Sequence, residues 1–379
     1  MLGGLAALSC GLGLWQWFAA RKFPLHQKTA VAGFAPAVSI LKPVKGCDAT
    51  TRDSLQSWLQ QIYAGPVEIL FGVADENDSV VKIIRQLIAE NPDIQAQLVI
   101  CQNLIGANAK VAKLAQLEKR AQHDLILTCD ADVRVPSDFL ASFVAPLREE
   151  KIALVNCFYR LANPSTSAMR WEAVAINADF WSQVLQSATL KPLDFALGAA
   201  ILVRRPALAE IGGFAALADC LADDYQLGQR IAKNGCQIAL CPVVVECWDA
   251  PQSWWQVWKH QLRWARTIRV CQPLPYFFSL LANASLWPLL WLAVSVVAAK
   301  SYCPLLAAVF FLLVRMALAQ DLQRRFTPGR KLISALWLVP LRDVLNAAIW
   351  IAAFTGNRIE WRGRKMKLRP DGTLEDGGR

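Results

Sequence analysis

Between residues 36 and 272 short apolar runs alternate with longer stretches of helical periodicity. The runs are AVSILKPV, VEILFGVAD, AQLVICQN, DLILTCDAD and IALVNCFYR. Each is five to ten residues long, which about fits a strand, and the intervals are long enough for crossover helices; the rhythm predicts a mainly parallel α/β sheet. In such sheets ligands gather beyond the carboxyl ends of the strands. The first four runs end at Lys42, Asp75, Asn103 and the pair Asp130/Asp132, groups expected to share one crevice.

The flanks have a different pattern. Residues 2–20 carry no charge and are followed by Arg21 and Lys22, as in a spanning helix with a cytoplasmic basic flank. A cleaved signal peptide fits less well, because the charge follows the apolar run. A second apolar block begins near 274 and contains 285–299 and 304–319, a helical hairpin; the basic connection 320–331 should face the cytoplasm with the long segment before the hairpin. The stretch 332–355 is apolar but broken by Pro340, Arg342 and Asp343, which points to an interfacial or re-entrant piece. The expected division is an anchor over 1–22, a catalytic-type domain over 36–272, a membrane region over 274–356 and a basic cytoplasmic tail over 357–379, with 369–379 disordered. Together these lead one to expect an integral membrane protein, of a bacterial inner membrane, with its soluble domain on the cytoplasmic face.

Composition narrows the picture. Over 379 residues, 55% are apolar and 15 are Trp, too hydrophobic for an ordinary soluble enzyme. The formal charge of +10 resides beside the hydrophobic segments, so anionic lipid explains it better than nucleic acid, and no nucleic-acid partner is expected. Eleven Cys occur without a CxxC pair and only three His are present, which argues against a disulfide framework, a zinc site or a Ser-His-Asp triad.

The chemistry is carried by acids. In DLILTCDADVRV, residues 124–135, Asp130 and Asp132 are two apart at a strand exit, so both point to one face and suit one hard cation, Mg²⁺ or Mn²⁺. Taken alone, two solvated turn carboxylates would serve as well. Asp75 closes the second run in a turn-forming cluster, Glu76, Asn77 and Asp78; one carboxylate there suits a base or ribose, whereas Asp78 suits an Asx turn. Gly106 and Lys110 fall in a loop opening a helix, suited to phosphate or a uracil edge but without Walker spacing. Asp223 and Asp224 stand at a loop-to-helix transition beyond Gly212 to Phe214. Capping needs one of them, and Asp224 is the candidate general base.

The segment 253–269, drawn on a helix, sets Lys259, Arg263 and Arg266 on one side and Trp254, Trp258 and Trp264 on the other. Such a helix suits the membrane interface; packing of its Trp face into the domain is an equal alternative for Trp254 and Trp258.

The ordered series Asp75, Asp130–Asp132, Asp223–Asp224 and HQLRW, His260 to Trp264, resembles the membrane-bound family 2 and family 21 glycosyltransferases, whose signature is D, DxD, D, (Q/R)xxRW. Phrases such as SILKPVKG, FGVADEND and LADDYQLG are most similar to the ceramide glucosyltransferases and the hopanoid-biosynthesis glycosyltransferases. One departure is His260 in the Gln/Arg position, where a hydrogen bond to diphosphate or acceptor would vary with pH. The resemblance implies a GT-A type domain in which Asp75 contacts uridine, Asp132 holds the metal, Asp224 is the base, and Arg263 and Trp264 close over donor and acceptor. It implies an inverting transfer of glucose or N-acetylglucosamine from a UDP-sugar to a membrane lipid hydroxyl, of ceramide or of a hopanoid polyol. A processive polysaccharide synthase is the alternative enzyme, but two or three C-terminal spans hardly enclose a channel. A non-catalytic anionic-lipid-binding protein would leave the acidic sites without a role.

Overall fold

The computed structural model describes residues 1–102, 105–298, 302–329, 337–361 and 364–376. Asn103, Lys300 and residues 332–336 of the predicted interfacial stretch lie outside the described residues. Eight strands form one sheet: β1 (Val38–Pro43), β2 (Val67–Val73), β3 (Gln95–Ile100), β4 (Leu125–Cys129), β5 (Val133–Arg134), β6 (Ile152–Leu161), β7 (Ala200–Arg204) and β8 (Gln237–Cys247), in the order β3-β2-β1-β4-β7-β6-β8-β5. The first four are mutually parallel, β7 runs against both β4 and β6, and β8 is parallel to β6. The ends of β1, β2, β4, β6 and β8 therefore open on one edge, as the alternating pattern leads one to expect. Fully buried Ile, Leu, Val and Phe side chains on both faces of the central strands fill two cores.

The bulk of the first core explains why a cation can be buried at the end of β1. Lys42 is wholly buried; its Nζ lies over the Trp58 ring and donates 2.7 Å to the carbonyl of Asp130. It supports the acidic turn from behind, which corrects the expectation that Lys42 itself faces the crevice. Between the pairs Cys157–Cys241 and Phe158–Val244, β8 accommodates two extra residues. Such a bulge bends the strand and re-aims the side chains beyond it, here those around Tyr159.

Membrane-type helices are built into this domain rather than tethered to it. Leu2–Lys22 and Tyr302–Phe326 are each long and apolar enough to cross a bilayer, and Pro273–Ala282 with Leu286–Val297 counts as a third span if the pair, bent by 45°, is one element. Ala20, Phe158, Trp181, Phe326 and Val339 share one core, in which Trp181 stacks on Phe326 at 5.0 Å. Trp17 donates to Asp321 at 2.7 Å and Arg21 lies 3.4 Å from the same carboxylate, so Arg21, Lys22, Arg324 and Arg325 gather at one end of the bundle.

The charges that interrupt the last apolar stretch have partners. In helix Leu338–Phe354, Asp343 faces Arg315 at 2.8 Å and accepts from Ser285 at 2.6 Å; Arg315 also reaches Asp179 at 3.0 Å, and Arg342 lies 3.6 Å from Asp179. Ionisable groups among apolar helices persist when paired in this way.

The tail differs from expectation. Residues 358–376 fold into three antiparallel strands, β9 (Arg358–Trp361), β10 (Arg364–Leu368) and β11 (Leu374–Asp376). Alternation around Gly372 permits this: Ile359, Met366, Leu368 and Leu374 are buried against Leu221, Ala107 and Val270. The backbone of Leu374 donates to Asp219 at 2.7 Å and that of Leu221 to Gly372 at 3.2 Å. The described part of the stretch read as disordered, 369–376, is thus a clamp on the loop leading to Asp223 and Asp224.

Arg315→Met would leave Asp179 and Asp343 buried with one cation fewer, and should cost about 3–5 kcal/mol. Replacing Arg315 and Asp343 together by Met and Leu should recover part of that loss. Denaturant unfolding of the detergent-solubilised chain checks this, and fully additive losses would contradict it.

Candidate active site

The acidic turn begins where β4 runs out. The backbone N–H of Asp130 donates to the carbonyl of Ala199 at 3.2 Å, and Val133 closes the turn by donating to the carbonyl of Asp130 at 3.3 Å. Lys110 enters from the helix Ala109–Glu118, whose N-cap Asn108 accepts from the backbone of Lys110 and Val111. The loop before it passes so close to Ala218 that a Cβ on Gly106, at φ 69°, would lie 2.6 Å from that carbonyl oxygen. From this fixed start the Lys110 ammonium reaches Asp130 Oδ1 at 2.8 Å and Asp223 Oδ2 at 3.2 Å. Burial alone would lower its pKa, but Asp130 and Asp223 outweigh burial and raise it.

Asp223 and Asp224 are the first two residues of helix Asp223–Lys233; its N-cap is Ala222, so neither carboxylate is the capping side chain. Asn108 Nδ2 lies 3.4 Å from Asp223, while Asp224 Oδ1 accepts from the backbone of Tyr225 at 2.8 Å. Burial, then the neighbouring Asp223, pushes the Asp224 carboxyl up to about 6. Gly198 makes room for it, because a Cβ there would stand 2.7 Å from Asp224 Oδ2.

Asp132 is pushed up to about 7 by burial and by the charges of Asp130 and Asp249. Asp249 follows β8 as Asp130 follows β4, and burial raises its carboxyl as well. Asp132 thus faces two like charges, a crowding that a divalent cation would relieve. Among the described residues no three His, Cys, Asp or Glu side chains converge as a ready metal cage.

The helix Trp254–Cys271 forms another wall. His260 Nδ1 lies 2.7 Å from Glu172 Oε1, which also accepts from Gln261 at 2.8 Å. Glu172 is nearly fully buried, and the His260 ring meets Trp264 edge-on at 4.7 Å. Trp264 also packs on Tyr159 and Phe180. Burial raises the Tyr159 phenol, and Asp224, Glu172 and Asp130 add to the effect, which ties this wall to the acids. Half-buried Arg263 lies on the turn between His260 and Thr267, whose hydroxyl donates to its carbonyl at 2.8 Å. Trp254 and Trp258 pack toward Trp171, the second of the two sequence readings. On the opposite side Lys259 pairs with Glu360 at 2.7 Å, and Arg266 donates to the carbonyl of Arg358. The basic face thus meets the C-terminal sheet.

Asp75 sits apart. It is exposed at the same edge, with Oδ1 accepting from the backbone of Asn77 at 2.9 Å in an Asx turn. Asp78, read as a turn former, accepts from the backbone of Gly46 and of Val80, each at 3.0 Å. The sequence reading missed Glu172 and Asp249. A carboxylate two residues past the end of the long strand β8 was a usable signal for Asp249, and a lone acid among AMRWEAVAI was one for Glu172.

The structure resembles that of the mannosyltransferase PcManGT from Pyrobaculum calidifontis, a structure described as a complex with GDP-Man and Mn²⁺. The two match with a TM-score of 0.55 at 19% identity over 94% of this chain and 98% of that one, which defines the fold as GT-A-like α/β. Residues 2–374 match glycosyl transferase family 21, and the chain belongs to that family. Ceramide glucosyltransferase 1 of Caenorhabditis elegans is 24% identical over 219 residues, 58% of this chain and 47% of that protein. The beta-monoglucosyldiacylglycerol synthase of Nostoc sp. is 25% identical over 246 residues, 64% and 51%. The chain spans about half the length of these relatives.

Gly198→Ala should displace the Asp224 carboxylate and reduce glycosyl transfer about 10²-fold, the order expected for a misplacement near 1 Å, with the unfolding midpoint little changed. Steady-state rates beside thermal unfolding check it; an unchanged rate would contradict the assigned contact.

Proposed function

We propose that the protein is an inverting, cation-dependent hexosyltransferase that moves glucose or N-acetylglucosamine from a UDP-sugar to the hydroxyl of a membrane lipid, at the cytoplasmic face. One observation carries the reading: Lys110 holds the DxD turn to the Asp223–Asp224 helix start, in a cleft whose wall is the helix bearing His260, Arg263 and Trp264. Membership of family 21 and the lipid acceptors named for its relatives, ceramide and diacylglycerol, support it. Ceramide or a hopanoid polyol is the acceptor assigned here.

In this reading Asp130 and Asp132, with Asp249 beside them, hold a divalent cation, which supplies charge neutralisation for the leaving diphosphate. Lys110 adds a fixed ammonium group at the same place. Asp224 takes the proton of the acceptor hydroxyl as its oxygen bonds to the anomeric carbon and the bond to UDP breaks, inverting that centre. A carboxyl raised to about 6 is a better base than an ordinary aspartate and is still ionised at neutral pH. Arg263 faces the developing charge, and Trp264, set by His260 and Phe180, excludes water from the acceptor side. Asp75 contacts the uridine through the oxygen its own turn leaves open.

The purified full chain, offered labelled UDP-sugars with sphingoid, diacylglycerol and hopanoid acceptors, should give an organic-extractable product that requires Mg²⁺ or Mn²⁺. An ethanol-insoluble polymer, or no product, would overturn the reading. Asp224→Asn should keep donor binding and lose turnover by about 10²–10⁴-fold, whereas Asp132→Ala should weaken Mn²⁺-dependent donor binding in a titration. Because the base acts ionised, kcat should fall as pH drops through about 6, not near 4, and Asp224→Asn should abolish that limb. An acid limb unchanged in the variant would assign it to another group.

A further inference from the structure

A cavity of about 470 Å³ lies outside the acidic cleft and shares none of the residues named there as donors or base. Arg266, Thr355, Gly356, Asn357, Arg358 and Lys367 line it, where the helix Trp254–Cys271, the end of the helix Leu338–Phe354 and the C-terminal sheet meet. Three of the six are cations and none is an acid. The nearest acid in β9, Glu360, is held by Lys259 at 2.7 Å. Arg266 spends one donor on the Arg358 carbonyl and Arg269 one on Asn357 Oδ1, bonds that fix the guanidinium groups without neutralising them. Burial and the Arg269 charge hold the Arg266 pKa below its ordinary value, as expected where positive charge is crowded.

The wall of this cavity continues into exposed hydrocarbon. Arg269 lies 5.6 Å over the Phe354 ring; Phe354 packs on Trp350 at 4.9 Å and on Phe277 at 6.4 Å. Phe277, Phe278 and Leu274 are 52%, 56% and 70% exposed, on the first arm of the bent pair that can count as a membrane span. A cationic pocket next to bare aromatic rings is complementary to an amphiphile with an anionic head, since free phosphate or a nucleotide would leave those rings in water.

We infer that this pocket binds the phosphodiester of an anionic glycerophospholipid, with the head group against Arg266, Arg358 and Lys367 and the acyl chains along Phe277, Phe278 and Phe354. Its lining residues are not those proposed above to hold the cation, act as base or close over the donor, so it can be tested whatever sugar or lipid the cleft uses.

The test uses the full chain in detergent and fluorescent phosphatidylglycerol as the probe, competed by unlabelled phosphatidylglycerol, phosphatidylcholine or orthophosphate. Saturable binding displaced by phosphatidylglycerol alone is expected, with Arg358→Gln/Lys367→Gln weakening it about 5-fold for each cation removed. Both side chains are exposed, so the fold should survive, and a retained unfolding midpoint checks that. Arg364→Gln/Lys365→Gln removes two charges from the same strand without touching the pocket and should leave binding within twofold. Equal losses in the two double variants, or none in either, would overturn the site. Displacement by orthophosphate as effective as by phosphatidylglycerol would show a free-phosphate site and overturn the lipid assignment.

Discussion

The cleft depends on the Lys110 ammonium group, set among carboxylates. Asp130, Asp132, Asp223, Asp224 and Asp249 come from three separate parts of the chain, and without compensation their repulsion would drive the loops apart. Lys110, buried and bonded to Asp130 and Asp223, joins the β4 turn to the Asp223–Lys233 helix. Its own position is prepared by the Asn108 cap and the tight passage at Gly106, so the charge is preorganised before any ligand arrives. The remaining carboxylates stay electrostatically strained, with Asp132 and Asp224 raised, a crowding of negative charge that a bound cation would relieve.

A second constraint joins this cleft to the membrane helices. One continuous helical run, from Ser167 to Ala188, passes through a π-helical segment at Ala175–Phe180. Its Glu172 fixes His260, its Phe180 packs on Trp264, and its Asp179 is bound by Arg315 of the apolar helix Tyr302–Phe326. π-Turns of this kind are often kept where function needs a side chain displaced from regular helical register. The register of the apolar bundle thereby sets the orientation of the wall that carries Arg263 and Trp264.

Much of this was legible from residue patterns. The strands, the shared edge at their carboxyl ends, the DxD turn and the two longest apolar helices follow from periodicity that tertiary contacts reinforce. Lys42 was misread because its polarity suggested a ligand contact, whereas a wholly buried lysine needs a carbonyl and an aromatic face, neither visible in a linear sequence. The C-terminal sheet escaped notice for a related reason: its strands are three to five residues long, rich in Lys and Arg, and buried only because the Asp219–Leu221 loop and Val270 provide a surface. Glu172 and Asp249 lack a motif, and their importance comes from what faces them.

The central claim, that the separated acids address one bound cation and one donor, is tested most directly by Mn²⁺ anomalous diffraction or cryo-EM of the full chain with UDP. The account predicts one metal peak touching Asp132, with Lys110 beside the diphosphate and Asp224 across the cleft on the side open to the apolar helices. A metal elsewhere, or UDP bound away from the β4 edge, would contradict it.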